Sequence, residues 1–468
     1  MMQKTVGAEY EKVFSKKDIF ALAFGAMIGW GWVVLTGSWI QTAGALGAIL
    51  AFLIGGAMVI FVGLAYAELT AALPESGGIS VFTERALGWN ASFFASWSII
   101  LGYVSVVAFE AVAFPAVLEY FLGDGYLQGY LYSIKGYDVY ATWVAVGVSS
   151  SIVIAITNYF GGKSVAFLQG GATLLITVVG LALFGGSSLH GSFTNMAPLF
   201  NNGVGGVFAV AVMTPFMFMG FDVIPQAASE MNVPHKNIGK IMILSVVMAV
   251  VWYVVIVLST ARALNAEGIA RAGLVTADAM VAVFGGSSLA GKVLILAGLG
   301  GIVTSWNAFF MGGSRAIAAM AQKKMLPPAL GYIHPKHNTP TNAIILIGVV
   351  TTLAPLFGKS MMTWLVNAGS FTVVIAYFMV VASFLKLRIN EPGLNRPYNV
   401  GNWKFVGVVA LMMTCLMIVM CLPGFPAALS WPYEWGIILG WFLLGGMLYL
   451  LATVGEYNSR KKMLIRTR

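Results

Sequence analysis

Apolar residues fall along this chain in long unbroken blocks, unlike the alternation of a half-buried strand or the stripe of a soluble amphipathic helix. Twelve blocks approach the ~20 residues that a spanning helix needs: 19–43, 46–72, 91–121, 139–160, 164–186, 204–229, 239–262, 288–321, 341–357, 362–386, 404–424 and 431–454. Two apolar segments are interrupted at mid-depth, 20–44 by Gly29-Trp30-Gly31 and 204–228 by Gly220-Phe221-Asp222. Glycine inside a helix costs about 1 kcal/mol relative to alanine. Interrupted spans at matching places in two halves of a chain point to the substrate site of a secondary transporter.

The pattern also divides the chain. A tail (1–18) precedes five spans in 19–186, and five more fill 204–388, each set opening on an interrupted span. Five is odd, so the second set enters the membrane from the opposite side and the two form an inverted repeat. Two further spans (404–454) and a basic tail (455–468) complete the chain. The polar stretch 72–88, ALPESGGISVFTERALG, reads as a loop carrying a short interfacial helix. The longest polar stretches on the outside are 123–137 and 187–203, too short for a soluble domain. The expected fold class is an all-α integral membrane protein of twelve helices, with the first and sixth broken.

Composition agrees. Hydrophobic residues make up 59% of the 468 and charged ones only 9%, against about 25% charged in a soluble domain. The net charge of +9 would raise the question of nucleic acid in a soluble protein. Here its distribution answers that question. With the N-terminus in the cytoplasm, only Lys135, Arg262, Arg271, Lys292 and Lys359 of the 26 Lys and Arg fall outside. This is the positive-inside bias, and it places both termini in the cytoplasm of a plasma-membrane protein with no nucleic-acid partner. The first residues, with Lys4, Glu9, Glu11 and Lys12, contain no cleavable signal, so the first span itself inserts. Cys415 and Cys421 share one apolar helix without metal-ligand spacing and read as packing residues.

Four stretches carry a resemblance: FGAMIGWGWVVLTG (24–37), YAELTAALPESGG (66–78), MGFDVIPQAASEMNVP (219–234) and SRAIAAMAQKKMLP (314–327). In this order the sequence resembles the amino acid–polyamine–organocation superfamily, and its bacterial cationic amino acid transporter-like permeases in particular. The resemblance implies a LeuT-like 5+5 inverted repeat, alternating access and a small amino acid or amine as substrate, in a monomer or homodimer.

An unwound stretch in lipid survives only where something polar meets its backbone groups. The N–H groups around Ile28, Gly29, Trp30 and Gly31 suit a substrate carboxylate, and carbonyls around Phe218, Gly220 and Asp222 suit its ammonium. The sequence departs from the family at Trp30 and Trp32, where smaller residues are usual. Trp30 either shrinks the pocket or faces the bundle. By the resemblance, Phe216 matches a gating aromatic and Phe309 a substrate-stacking one, each alternatively a core residue.

Acids at membrane depth are expensive. Asp222 and Glu110 either hold a proton or pair with an amine, and Glu110 alternatively tightens the bundle as a neutral acid. Glu68 and Glu230 are expected at helix ends, as caps or in gate ion pairs with Arg85, Lys236 or Arg315. A proton-sensing lysine known in some relatives would fall at Ile176 and is missing. Thr304 and Ser305 supply hydroxyls where sodium users of the fold place theirs. Proton coupling through Asp222 or Glu110 is expected ahead of sodium coupling, with no cofactor and no metal.

An enzyme would need a paired acid and base or a metal cluster, but His190, His235, His334 and His337 all fall in loops. A channel would need a symmetric filter, and an ATP-driven pump a G-x-x-x-x-G-K-[ST] loop that is not here. The expectation is proton-coupled amino acid uptake. The alternative is an amine or polyamine permease, or an exchanger.

Overall fold

The computed structural model describes residues 15–75, 77–161 and 163–466. The tail carrying Lys4, Glu9, Glu11 and Lys12 lies outside the described residues, as do the side chains of Lys163 and Glu230. Among the described residues, eleven helices are long and apolar enough to cross a membrane. The ninth expected span is shorter. Thr341–Thr352 gives way to a tight turn at Ala354–Phe357, because Pro355 has no N–H to donate and its ring crowds the preceding turn.

The first span starts as Lys16–Met27 behind a reciprocal cap, in which the Ser15 side chain accepts the Asp18 N–H and the Asp18 carboxylate accepts the Ser15 N–H. That helix stops at Ile28. Helix resumes as Gly31–Val34 and Thr36–Ala43. The sixth span runs Gly203–Ala211, then Thr214–Met217, then a single 3₁₀ turn at Phe221–Val223 and two such turns at Pro225–Glu230. Gly220 has φ +140°, a conformation that side-chain-bearing residues avoid, so the helix cannot run through it.

The other spans pack around these two. The second, Ala45–Ala72, lies along the seventh, His235–Ala263. The third, Trp89–Leu122, packs on both the eighth, Ser288–Gln322, and the tenth, Ser360–Asn390. It is the most deeply buried span, which suits a helix apolar on all faces. The fourth, Ala141–Phe160, and the last two, Trp403–Met420 and Tyr433–Arg466, expose most of their apolar surface, as a lipid-facing helix does.

Two readings need correction. The fold is not purely helical, because the polar stretch after the third span carries two strands. Tyr130–Ile134 and Tyr137–Tyr140 pair as an antiparallel hairpin. Its turn, Lys135-Gly136, takes positive φ at both positions, the geometry that matches strand twist in two-residue hairpins. The short helix in 72–88 forms at Ile79–Leu87. Its ion pairs, and those of Glu68, go to other partners than expected. Glu68 pairs with Arg388 at 2.5 Å and Arg396 at 3.1 Å and also accepts the Val400 N–H. Arg85 bonds Glu391, and Lys323 at the end of the eighth span pairs with Glu84. The reason is that the tenth span ends beside the second, presenting Arg388, and the 391–400 loop folds back to bring Arg396 and the Val400 N–H to Glu68.

Candidate functional site

Where the first span stops, its backbone groups are met by side chains from three neighbours. The Tyr253 hydroxyl of the seventh span donates to the Met27 carbonyl at 2.7 Å, and the Thr304 hydroxyl of the eighth to the Gly25 carbonyl at 3.0 Å. The Trp30 N–H points at Glu110 Oε1 from 3.5 Å, a long contact, while the Ser305 hydroxyl donates to the same oxygen. Glu110 is buried and, among the described residues, its Oε2 has no hydrogen-bond partner.

The third span places Glu110 here by helical spacing. Val106, Phe109 and Glu110 stand at i, i+3 and i+4 and so share one face. The eighth span does the same with Gly298, Gly301, Ser305 and Phe309. Gly301 allows the helices to touch: a Cβ there would lie 2.9 Å from the Gly29 carbonyl oxygen and 3.0 Å from that of Ile28.

These groups enclose a cavity of about 20 Å³. Its walls are Ala26, Met27, Gly29, Trp30 and Gly31 of the first span, Val106, Phe109 and Glu110 of the third, Phe216 and Met217 of the sixth, Tyr253 of the seventh, and Ser305 and Phe309 of the eighth. A single water needs roughly 10–15 Å³ on this measure. An amino acid therefore enters only if the spans move apart.

Seven of the residues singled out from sequence line this cavity: Gly29, Trp30, Gly31, Phe216, Phe309, Glu110 and Ser305. Trp30 lines it and also fills a groove of the eighth span, where a Cβ on Gly298 would lie 2.2 Å from the indole. Ile28, Phe218, Gly220, Asp222 and Thr304 are not among the lining residues. Phe218 packs edge-on against Phe52 and Tyr253, and Gly220 against Ala23 and Ala26. Thr304 joins two helices through the Gly25 and Gly301 carbonyls, both at 3.0 Å. Ile176 is buried.

Asp222 faces away from the cavity. Its Oδ1 accepts the Gly220 N–H at 2.8 Å, and its carbonyl accepts the Tyr103 hydroxyl at 3.0 Å. That carbonyl is thus occupied. Among the histidines, His334 Nδ1 accepts the N–H groups of Lys336 and His337 and so serves its own turn. Tyr253, Val106, Phe109 and Met217 were not singled out beforehand. Val106 and Phe109 follow from the helical face of Glu110, whereas nothing local distinguishes Tyr253 from the other tyrosines.

An interrupted helix held by polar side chains around a buried carboxylate, inside a bundle of apolar spans, fits a membrane transporter. The amino acid permease family matches residues 14–449, and the chain belongs to it. The branched-chain amino acid permease BcaP of Bacillus subtilis (strain 168) is 28% identical over 93% of this chain and 91% of its own. The aspartate-proton symporter of the same organism is 24% identical, over 87% of this chain and 79% of its own. The lysine-specific permease LysP of Lactococcus lactis subsp. cremoris (strain MG1363) is 23% identical, over 88% and 84%. The protein is a multi-pass membrane transporter and not an enzyme.

Proposed function

We propose that the protein carries small apolar amino acids across the plasma membrane by proton-coupled alternating access, with both termini in the cytoplasm. In this reading residues 19–186 and 204–388 form LeuT-like inverted five-helix repeats. The interruptions near Gly29–Gly31 and Gly220–Asp222 then let the inner and outer halves of two spans move separately. The substrate carboxylate lies at the N–H groups of 29–31 beside Ser305, and its ammonium at the sixth-span backbone around Phe216 and Met217. Glu110 holds the coupled proton.

The observation that carries this reading is the meeting of Glu110, the Ser305 hydroxyl and the Trp30 N–H at the interruption. A carboxylate there occupies the position suited to an incoming anion. Two anions in one small buried cavity repel strongly, so Glu110 must be neutral when the substrate carboxylate arrives. Binding is thereby tied to proton uptake.

The walls support an apolar side chain. Val106, Phe109, Phe216, Met217 and Phe309 offer it no charge, and a relative across nearly the whole chain is a branched-chain amino acid permease. A polyamine would need two acids, and Asp222 does not line the cavity.

Proteoliposomes test the proposal. Wild type is expected to accumulate leucine or valine on an imposed inward proton gradient, with putrescine no competitor. Glu110→Gln is expected to lose accumulation while keeping leucine counterflow. Gradient-driven accumulation by that variant at the wild-type level would overturn the coupling role of Glu110.

A further inference from the structure

Beyond the central cavity, on the side facing Gly77-Gly78 and the interfacial helix, lies a second polar cluster inside the bundle. It joins four spans: Tyr66 of the second, Tyr103 of the third, Asp222 and Gln226 of the sixth, and Tyr377 of the tenth. All five side chains are buried, none more than 1% exposed. Their rings bring them together. Tyr66 stands edge-on to Phe221 at 5.4 Å and to Tyr377 at 5.7 Å, and Phe221 lies 5.6 Å from Tyr377. Gln226 reaches the interfacial segment, where its Nε2 would lie 3.2 Å from a Cβ on Gly78. Tyr66, Tyr103 and Tyr377 all lie close enough to Asp222 to feel its charge.

The unusual feature is what these groups do not bond. Among the described residues, Asp222 Oδ2, the Tyr66 and Tyr377 hydroxyls and both polar atoms of the Gln226 amide make no well-aligned hydrogen bond, although the Tyr377 hydroxyl lies beside Asp222. Each such group left unmatched costs about 1–3 kcal/mol, and a charged one more. Five in one place, converging from three spans, are not an accident of packing. The only charge in the set is negative, and the hydroxyl and amide oxygens add lone pairs. The set complements a positive charge. The close aromatic packing limits it to a small one.

We propose that Asp222, Tyr66, Tyr377 and Gln226 form a binding site for a small monovalent cation, distinct from the cavity at Glu110. A primary ammonium and a bare alkali ion share that chemistry. The former would come from the substrate on its way past the sixth span, the latter from solution. The site stands whether or not Glu110 carries the coupled proton.

The test uses the purified full-length protein in detergent, unfolded thermally in choline chloride. Choline is replaced stepwise by sodium chloride or methylammonium chloride at constant ionic strength. A saturable rise in melting temperature is expected with one or both, since choline is too large to enter. Response to sodium assigns an alkali-ion site, and response to methylammonium an amine site. Asp222→Asn should raise the half-saturating concentration roughly tenfold or more, the loss expected for one charged ligand. Tyr377→Phe removes only a hydroxyl and gives the same readout if the asparagine variant does not fold. Glu110→Gln should leave the response unchanged. No saturable response to either cation, an unchanged response in both cluster variants, or loss of the response in Glu110→Gln would each overturn the site.

Discussion

Trp30 shows how one residue can serve two surfaces. Its backbone N–H faces Glu110 while its indole fills the space over Gly298, where a methyl group would lie 2.2 Å from the ring. The side chain is therefore both a wall of the cavity and a packing element of the first and eighth spans. Gly298→Ala should push the indole into the cavity and weaken substrate binding at least tenfold, and Trp30→Ser in the same chain should restore it. Isothermal titration with leucine measures both steps, and additive losses would show that the two residues do not share one space. Trp30→Ser alone should broaden the accepted substrates, read as competition by larger amino acids. It should also destabilise the protein, by up to the ~3–5 kcal/mol that truncating a buried tryptophan to alanine costs. Unchanged selectivity would mean that the backbone of Trp30, and not its ring, bounds the substrate.

The first span matters less for where it ends than for what meets its ends. Tyr253, Thr304, Ser305 and Glu110 come from three different helices to cover the Met27 and Gly25 carbonyls and the Trp30 N–H. The two glycines between them are not equivalent. A Cβ on Gly29 would lie 2.7 Å from Ser305 Oγ and 2.9 Å from Glu110 Oε1, against groups fixed by their own bonds. One on Gly31 would meet Met217 Sδ at 2.8 Å, the end of a flexible side chain that can turn aside. Gly29→Ala should abolish leucine uptake, and Gly31→Ala should reduce it only several-fold. Equal loss in both would place the sensitivity in the glycine backbone and not in the groups facing it. Sequence spacing could mark these glycines and Glu110. It could not reveal that Asp222, three residues from Met219 in the sixth span, faces a tyrosine cluster and leaves the cavity to Glu110.

Across the whole molecule, charge gathers where the second span finishes. Glu68 is buried there between Arg388 and Arg396, whereas the Arg85–Glu391 pair that ties the interfacial helix to the tenth span is partly exposed. Removing one partner of a buried pair costs about 3–5 kcal/mol, because the other charge is left unmatched. An exposed pair contributes little, and salt screens it. Glu68→Gln should therefore lower the melting temperature by many degrees and Glu391→Gln hardly at all, as thermal unfolding in detergent would show. Comparable losses would mean that the network acts as one unit.

The exposed pair has its own pH dependence. Hydrogen bonds from Arg85 hold the Glu391 carboxyl below the ordinary glutamate range. A carboxyl lowered by folding stabilises the protein above its unfolded pKa, about 4.3, and loses that contribution as pH falls through the folded value. The tie is complete at neutral pH and weakens only below about pH 4. A wild-type melting temperature that is flat between pH 7 and 5 and falls below about pH 4, with that fall reduced in Arg85→Ala, fits this window, while a wild-type loss near pH 6 would not.

The amino-acid sequence by itself determined the membrane location, the approximate bounds of the spans and the family, because lipid demands long apolar runs and internally bonded backbone whatever the neighbours are. It also marked Glu110, since a lone acid at membrane depth stands out against apolar surroundings. Tertiary structure alone decided which acid meets the first span and which enters the tyrosine cluster, that Tyr253 covers Met27, and that Glu68 takes its arginines from the end of the tenth span and the loop after it. Those pairings join residues up to some 330 positions apart. They depend on the rotation of each helix about its own axis, and a segment apolar on every face records almost nothing of that rotation.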